Sequence, residues 1–377
     1  MTAHAILSAS SSKRWLTCTP SARLEATLPE RRSAPGAFNF SEEGTTAHTL
    51  ADIKLRRAYN QMTGKEYAAE YAKVRATQYY DDEFESYVDG YVVYVRSQIG
   101  EGDRPLFEQR VDYSEWAPDG FGTADVVILS ERKVRVIDLK FGKGVPVDAR
   151  DNPQLRLYAL GAYAKYREEF PNITEVEYTI CQPRLDSITT DHTTVERLLD
   201  WADYFVKQKA KKAWTGVGEF VAGDHCQFCR AKSQCRARSD FNNDIAKLEF
   251  RAPALLDSGE MELILGKSSK VKAWLTDVEV WALDRAVNDG TLPPGYHLGR
   301  GTTHRKITDE VAAAERLIAA GIEEAKIWEN RALKSIAKLE KVGKKEHIQQ
   351  VLGELITRPE GALKLIRVDE DAKKDFA

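Results

Sequence analysis

Between residues 133 and 141, apolar and polar positions alternate with a period of two. Val134, Val136, Asp138 and Lys140 share one parity; Arg135, Ile137 and Leu139 share the other. Side chains on a strand alternate faces, so the pattern predicts a strand with Asp138 and Lys140 on one side. Residues 126–129 form a second β-rich run, and Ser130-Glu131-Arg132-Lys133 reads as the polar turn between the two. Such a hairpin returns Asp125 to the side of Asp138. Further strand patterns cover residues 106–113, 175–182 and 188–194. Helical periodicity covers residues 43–59, 79–99, 153–169 and 195–213, and a short serine-capped helix ends before Pro20. The Pro/Gly/Ser-rich residues 28–43 read as a loop.

The order of helix, three strands, helix and strand predicts an α/β fold, a mixed sheet flanked by helices. This domain is expected to span residues 1–240. Residues 241–377 are expected to form a mostly helical C-terminal region, interrupted by Pro293-Pro294-Gly295-Tyr296. Composition fits two domains: 377 residues, 42% hydrophobic and 30% charged. No apolar run reaches the ~20 residues of a membrane helix, so no membrane partner is expected. The N-terminus lacks a basic start and an apolar core, and the five cysteines are few and uneven. Both features predict a cytoplasmic, reducing location. A net charge of −3 gives no global basic field, so a nucleic-acid enzyme of this composition needs a local basic groove and metal ions to offset its carboxylates.

The chemistry lies in a few places. Asp125 ends the stretch Gly122-Thr-Ala-Asp125, and Asp138-Leu139-Lys140 follows on the next strand. Two carboxylates can hold a hard cation, and a lysine beside them can manage an attacking water. On these two strands alone, a solvated hairpin explains the residues equally well. Gln154 and Tyr158 stand four apart on one helix face, and Pro153 suits that helix's first turn. Cys226-Gln-Phe-Cys229 is followed six residues later by Cys235, and Cys18, Cys181 and His225 are available as a fourth ligand. Spacing alone leaves zinc and an iron–sulfur cluster as equal alternatives.

Taken in order, Glu43-Gly44-Thr-Thr-Ala-His48, Gly122-x-x-Asp125, Asp138-x-Lys140 and Gln154-x-x-x-Tyr158 resemble the RecB-type branch of the PD-(D/E)XK nuclease superfamily, over roughly residues 1–240. The resemblance implies a restriction-endonuclease-like core and a DNA nuclease that leaves 5′-phosphates. It implies Mg²⁺ or Mn²⁺ on His48, Asp125, Asp138 and the Leu139 carbonyl. Lys140 would orient or deprotonate water, Gln154 and Tyr158 would position Lys140 or the DNA, and Glu108 would join the acidic cluster. One cysteine before this core and three after it resemble the iron–sulfur subgroup, which includes AddB and the CRISPR-adaptation exonucleases. That implies a [4Fe–4S] cluster on Cys18, Cys226, Cys229 and Cys235, with Zn²⁺ as the alternative. Here Thr19 separates Cys18 from Pro20, where the subgroup usually has Cys-Pro directly. Cys181, on a strand, reads instead as a small buried apolar residue. The whole chain also resembles a family of phage and prophage proteins. This implies a bacterial host cell, an exonuclease acting in phage recombination or replication, and a single-strand-binding or annealing partner.

The C-terminal region says less. Trp274 and Trp281, seven apart on one helix, read as core packing rather than base stacking. Residues 299–306 form a short basic stretch able to touch phosphates. Lys334, Lys338, Lys341, Lys344 and Lys345 are interleaved with Glu340 and Glu346, and read as a solvated face. No Walker-type phosphate loop is present, so any motor is a separate chain. Two other function classes compete with a nuclease: a DNA-binding module with a silent nuclease fold, and a zinc-stapled adaptor in a replication complex.

Overall fold

A computed structural model describes residues 5–29, 38–142, 144–246, 258–300, 306–329, 332–334, 336–342, 345–357 and 363–367. Its centre is a five-stranded mixed sheet in the order β1-β2-β3-β4-β5: β1 Arg104–Asp112, β2 Phe121–Leu129, β3 Lys133–Leu139, β4 Glu175–Gln182 and β5 Ser187–Thr194. The pairings β1–β2, β2–β3 and β4–β5 are antiparallel, and β3–β4 is parallel. The parallel step needs a crossover. The chain supplies it with helix α6 (Pro153–Tyr166), opened by Asn152, whose side chain accepts from the amides of Gln154 and Leu155. The α/β expectation therefore holds, with a mixed sheet flanked by helices.

Five further helices precede the sheet: α1 Ser12–Thr17, α2 Ser21–Ala26, α3 Phe40–Ala58, α4 Gly64–Arg75 and α5 Asp82–Ser97. One face of the sheet packs under α6 and the N-terminal segment, through Leu7, Trp15, Val134, Val136, Leu155 and Tyr178. The other face packs under α3, α4 and α5, through Leu50, Val88, Tyr91, Val126, Ile137 and Leu139. Helix α3 starts three residues earlier than its pattern predicts, because Asn39 caps it through the amides of Ser41 and Glu42. Helix α4 was not anticipated from periodicity. It is set by a capping box, in which Thr63 and Glu66 satisfy each other's backbone amides.

After β5, the expected single helix is α7 (Val195–Trp201), a π-helical turn at Ala202–Val206, and α8 (Lys207–Thr215). Helix α9 (Arg236–Ala246) runs across residue 240, and α10 spans Ser258–Asn288. The chain divides into two compact units, Met1–Ile264 and Leu265–Ala377. The expected boundary at 240 thus falls inside α9, where Arg238 and Asn242 are buried.

The second unit has its own small core of Ala313, Leu317, Ile327, Leu339, Ile348 and Leu352. It also holds short strand pairs, such as Tyr296–Arg300 with Leu363–Arg367, the first of these strands lying where the helical pattern was expected to break. Trp274 and Trp281 belong to no buried cluster among the described residues; both are half-buried, and the Arg285 guanidinium lies over Trp281. Of the basic stretch at 299–306, residues 301–305 lie outside the described residues. So do Lys344, residues 30–37 of the expected loop, and the charged terminus from residue 368. Among the described residues, no helix is long and apolar enough to cross a membrane.

Candidate metal and phosphodiester site

The site is built where β1, β2 and β3 meet. Phe107 pairs with Val126 and Gln109 with Ala124, which leaves Glu108 opposite Asp125. Glu108 has φ +46°, a left-handed backbone that a glutamate adopts only under strain. The face alternation of both strands slips at this pair. Phe107 and Val126 face the α3 side, whereas Val111 and Ala124 face the α6 side. The distortion turns two carboxylates toward α3, where His48 waits. His48 Nδ1 lies 3.2 Å from Asp125 Oδ1. Among the described residues, His48, Glu108 and Asp125 are the set of three potential ligands whose atoms lie within 4.8 Å of one another.

Electrostatics reflect the crowding. For His48, burial works against the charged ring, but the charge and hydrogen bond of Asp125 outweigh it and raise the imidazole to about 9. Asp125 is opposed by its own burial, yet His48 holds its carboxyl below the usual range. Burial first, and then Asp125, push Glu108 up to about 7. An acidic residue raised by a like neighbour is ready to yield its proton to a cation.

The second half of the site hangs from β3 and α6. Asp138 is buried, at 2% exposure, and Lys140 Nζ stands 2.8 Å from its Oδ2. The lysine is the partner of that oxygen, which receives no further hydrogen bond. Gln154 bridges the pair: its amide donates to Asp138 Oδ1 at 2.9 Å, and its carbonyl oxygen accepts from Lys140 at 3.2 Å. The same amide lies 3.3 Å from the Tyr158 hydroxyl. Burial raises the Asp138 carboxyl despite the lysine. For Lys140, burial opposes the charge, but Asp138 outweighs it and keeps the ammonium protonated.

The halves join through Leu139, whose amide donates to Asp125 Oδ2 at 2.7 Å. A strand residue sends its N–H and C=O from the same edge, so the Leu139 carbonyl also faces the β2 side. Lys140, next along, turns its amide to Cys181 on β4. The seven expected residues His48, Glu108, Asp125, Asp138, Lys140, Gln154 and Tyr158 thus form one connected constellation. A buried carboxylate oxygen held by Lys140, beside three clustered hard ligands, fits a divalent cation.

Cys18, Cys226, Cys229 and Cys235 line a second small cavity, together with Arg14, His225, Lys232 and Arg238. Cys18 comes from the end of α1; the other three come from the turns between α8 and α9. The close approach of these distant segments depends on Gly218 (φ +132°), where a β-carbon would stand 2.2 Å from Thr19 Oγ1. Thr19 in turn donates to the Val217 carbonyl at 2.7 Å. Burial pushes the Cys229 thiol up to about 12. Cys181 is 3% exposed within the core under α5, the small buried residue its strand pattern implied.

A model of the family described as "Protein of unknown function (DUF2800)" matches residues 4–374. The chain belongs to that family. The DUF2800 chain is also similar to a solved structure entitled "Crystal structure of SSO0001", at 14% identity and a TM-score of 0.24, covering 60% of this chain and 96% of that one. A likeness that loose carries no argument about fold or chemistry.

Two features of this DUF2800 site escaped the sequence. Tyr91, 1% exposed on α5, has a hydroxyl without a hydrogen-bond partner. Burial raises it well above the usual phenol range, and the Asp125 and Asp138 charges add to that. Its helix reads as an ordinary Tyr/Val core helix, and nothing in the local pattern marks it. Arg184, in the turn between β4 and β5, pairs with the buried Glu43 at 2.7 Å and lies over Phe141. Only the fold brings residues 141 positions apart together.

Proposed function

We propose that this protein is a Mg²⁺- or Mn²⁺-dependent deoxyribonuclease with a PD-(D/E)XK core of the RecB-like type. The observation that carries the reading is the Asp138–Lys140–Gln154 bridge, set one residue from an Asp125–Leu139 contact that leads to His48 and Glu108. His48, Asp125, Asp138 and the Leu139 carbonyl would hold the ion, with Glu108 within reach. When bound, a divalent ion supplies charge neutralisation at the phosphodiester and acidifies the attacking water. Lys140, kept protonated by Asp138, then orients that water and stabilises negative charge developing on the phosphoryl oxygens. Gln154 holds the lysine and Asp138 in register, and Tyr158 buttresses Gln154. The resemblance implies that hydrolysis leaves a 5′-phosphate.

The four cysteines support a structural [4Fe–4S] cluster. Tetrahedral zinc brings its thiolates to roughly 3.8 Å from one another. Among the described residues, no three cysteine sulfurs fall within 4.8 Å of one another. The choice of a polynuclear centre over zinc rests on the resemblance to the iron–sulfur subgroup, and Arg14, Lys232 and Arg238 line the same cavity as the cysteines. Such a centre would pin the N-terminus to the end of the nuclease unit. An end-resecting role in phage recombination, with a single-strand-binding or annealing partner in the host cytoplasm, completes the reading.

Digestion of end-labelled linear and covalently closed DNA tests it, using anaerobically prepared protein with Mg²⁺, Mn²⁺ or EDTA. Metal-dependent loss of linear DNA, abolished by Asp138→Ala and Lys140→Ala, is expected. DNA binding by folded, metal-loaded protein without any cleavage would replace this reading with a silent binding module.

A further inference from the structure

A separate cavity of about 330 Å³ opens on the α6 side of the sheet, lined by Arg150, Asp151, Arg156, Tyr178, Asp191, Arg197 and Trp201. None of the carboxylate-site residues lines it. Its walls come from the loop before α6, from α6 itself, from β4 and β5, and from α7. Arg156 is two positions from Gln154, so one helix serves both sites from different faces.

Three observations point to an anionic occupant. First, Arg150 and Arg197 have no ion pair with any described residue. Arg156 is paired, with Asp151 at 2.5 Å. Second, Arg156 Nε and the Tyr178 hydroxyl are buried without a hydrogen-bond partner, and Tyr178 is 0% exposed. A buried donor without a partner is costly, and a lining residue that keeps one has a ligand to satisfy it. Third, the carboxylate of Asp191 is already engaged by the amides of Asp151 and His192, at 3.0 and 2.9 Å. Those amides leave the Asp191 charge in place, so three guanidiniums, of Arg150, Arg156 and Arg197, stand against two carboxylates, of Asp151 and Asp191, and the lining keeps an excess of one positive charge.

We propose that this cavity is a phosphate-recognition site for a nucleotide. Arg150 and Arg197 grip the phosphate dianion through their planar forks, and Arg156 Nε and the Tyr178 hydroxyl donate to it. The volume exceeds what a bare phosphate fills and lies at the lower end for small-molecule sites. The Arg156 guanidinium lies 5.6 Å from the centre of the Trp201 ring, so that indole face holds the arginine in place and the remaining volume is left for the sugar. The phosphate belongs either to a free mononucleotide or to the 5′-phosphorylated end of a strand. The inference stands apart from the nuclease reading, since it involves neither the metal site nor cleavage.

Calorimetric titration of the full chain in EDTA tests it, with deoxyadenosine 5′-monophosphate, deoxyadenosine, and a short oligonucleotide with and without a 5′-phosphate. The phosphorylated ligand is expected to bind saturably and its unphosphorylated counterpart not to. The Arg150→Ala/Arg197→Ala double variant should lose roughly 10- to 100-fold in affinity. Tyr178→Phe should weaken binding while its melting temperature stays level or rises, because an unpartnered hydroxyl holds nothing together in the free protein. Binding of the mononucleotide identifies the free source; binding of the phosphorylated oligonucleotide alone identifies the strand end. If neither phosphorylated ligand is preferred, or the variants bind as the wild type does, the proposal is overturned.

Discussion

Gly122 and Tyr158 share one space: a β-carbon on Gly122 would stand 2.7 Å from Tyr158 Cε1. The glycine on β2 lets the phenol of α6 lie flat over the strand beside the carboxylates. The approaching group is the ring whose hydroxyl meets Gln154. Gly122→Ala forces that ring to move, at a cost of about 1–3 kcal/mol. In a Tyr158→Ala background the clash is gone, and the added cost should fall to near zero. Chemical denaturation of the four proteins in the cycle measures this coupling. Equal costs in both backgrounds would show that Gly122 is needed for something other than the phenol.

Cation binding at the carboxylate cluster should stabilise the fold by mass action, about 2.7 kcal/mol at a hundredfold excess over Kd. Thermal melting with Mn²⁺ against EDTA should therefore show a raised transition in the wild type. Asp125→Ala removes the residue that links His48, Glu108 and the Leu139 amide. It should abolish the shift. A shift of undiminished size in that variant would place the ion elsewhere.

Much of this site was legible because strand parity is local. Asp138 on β3 and Lys140 just past its end sit two apart and meet at 2.8 Å, and Gln154 and Tyr158 sit four apart on α6 and meet at 3.3 Å. The slip at Glu108 was not legible, since a left-handed glutamate leaves no mark on composition or period. Nor was the Arg150–Arg197 cavity, which a loop, two strands and two helices assemble from residues with no common spacing. Helix α4 was missed for a simpler reason. Its only buried residue is Val74, so an apolar stripe was nearly absent and the cap carried the signal.

The four cysteines, from the end of α1 and the turns before α9, line one cavity. Anaerobic protein should be brown and carry iron, and Cys226→Ser and Cys18→Ser should each bleach it. Because metal binding at such a site is coupled to local folding, both variants should also expose the N-terminal segment to protease. The Thr19–Val217 and Arg230–Glu25 hydrogen bonds, both at 2.7 Å, and the burial of Trp15 and Leu16 then remain to hold that segment, so the cleavage expected is local, around Cys18 and the turns before α9. Colourless wild-type protein with stoichiometric zinc would replace the cluster with the zinc alternative.

Asp103 offers a pH test far from any metal ligand. Its carboxylate accepts from Ser130 Oγ at 2.6 Å, the Gly100 amide at 2.9 Å and Arg135 at 3.1 Å, tying the turn before β1 to β3. Burial raises its affinity for a proton, but these three partners outweigh burial and hold the carboxyl below its ordinary value. The folded state therefore binds this proton less readily than the unfolded chain does. The stabilisation is fully present above about pH 4, where the unfolded aspartate is ionised, and is lost as pH falls through the lower folded value. Asp103→Asn should cost about 1–3 kcal/mol at neutral pH, because three donors lose a charged acceptor. It should also flatten the acid limb of stability against pH below about 4. Urea unfolding from pH 7 down to about 3 checks both effects. A variant that loses stability at pH 7 but keeps the wild-type acid slope would show that the carboxylate's charge is not what its partners hold.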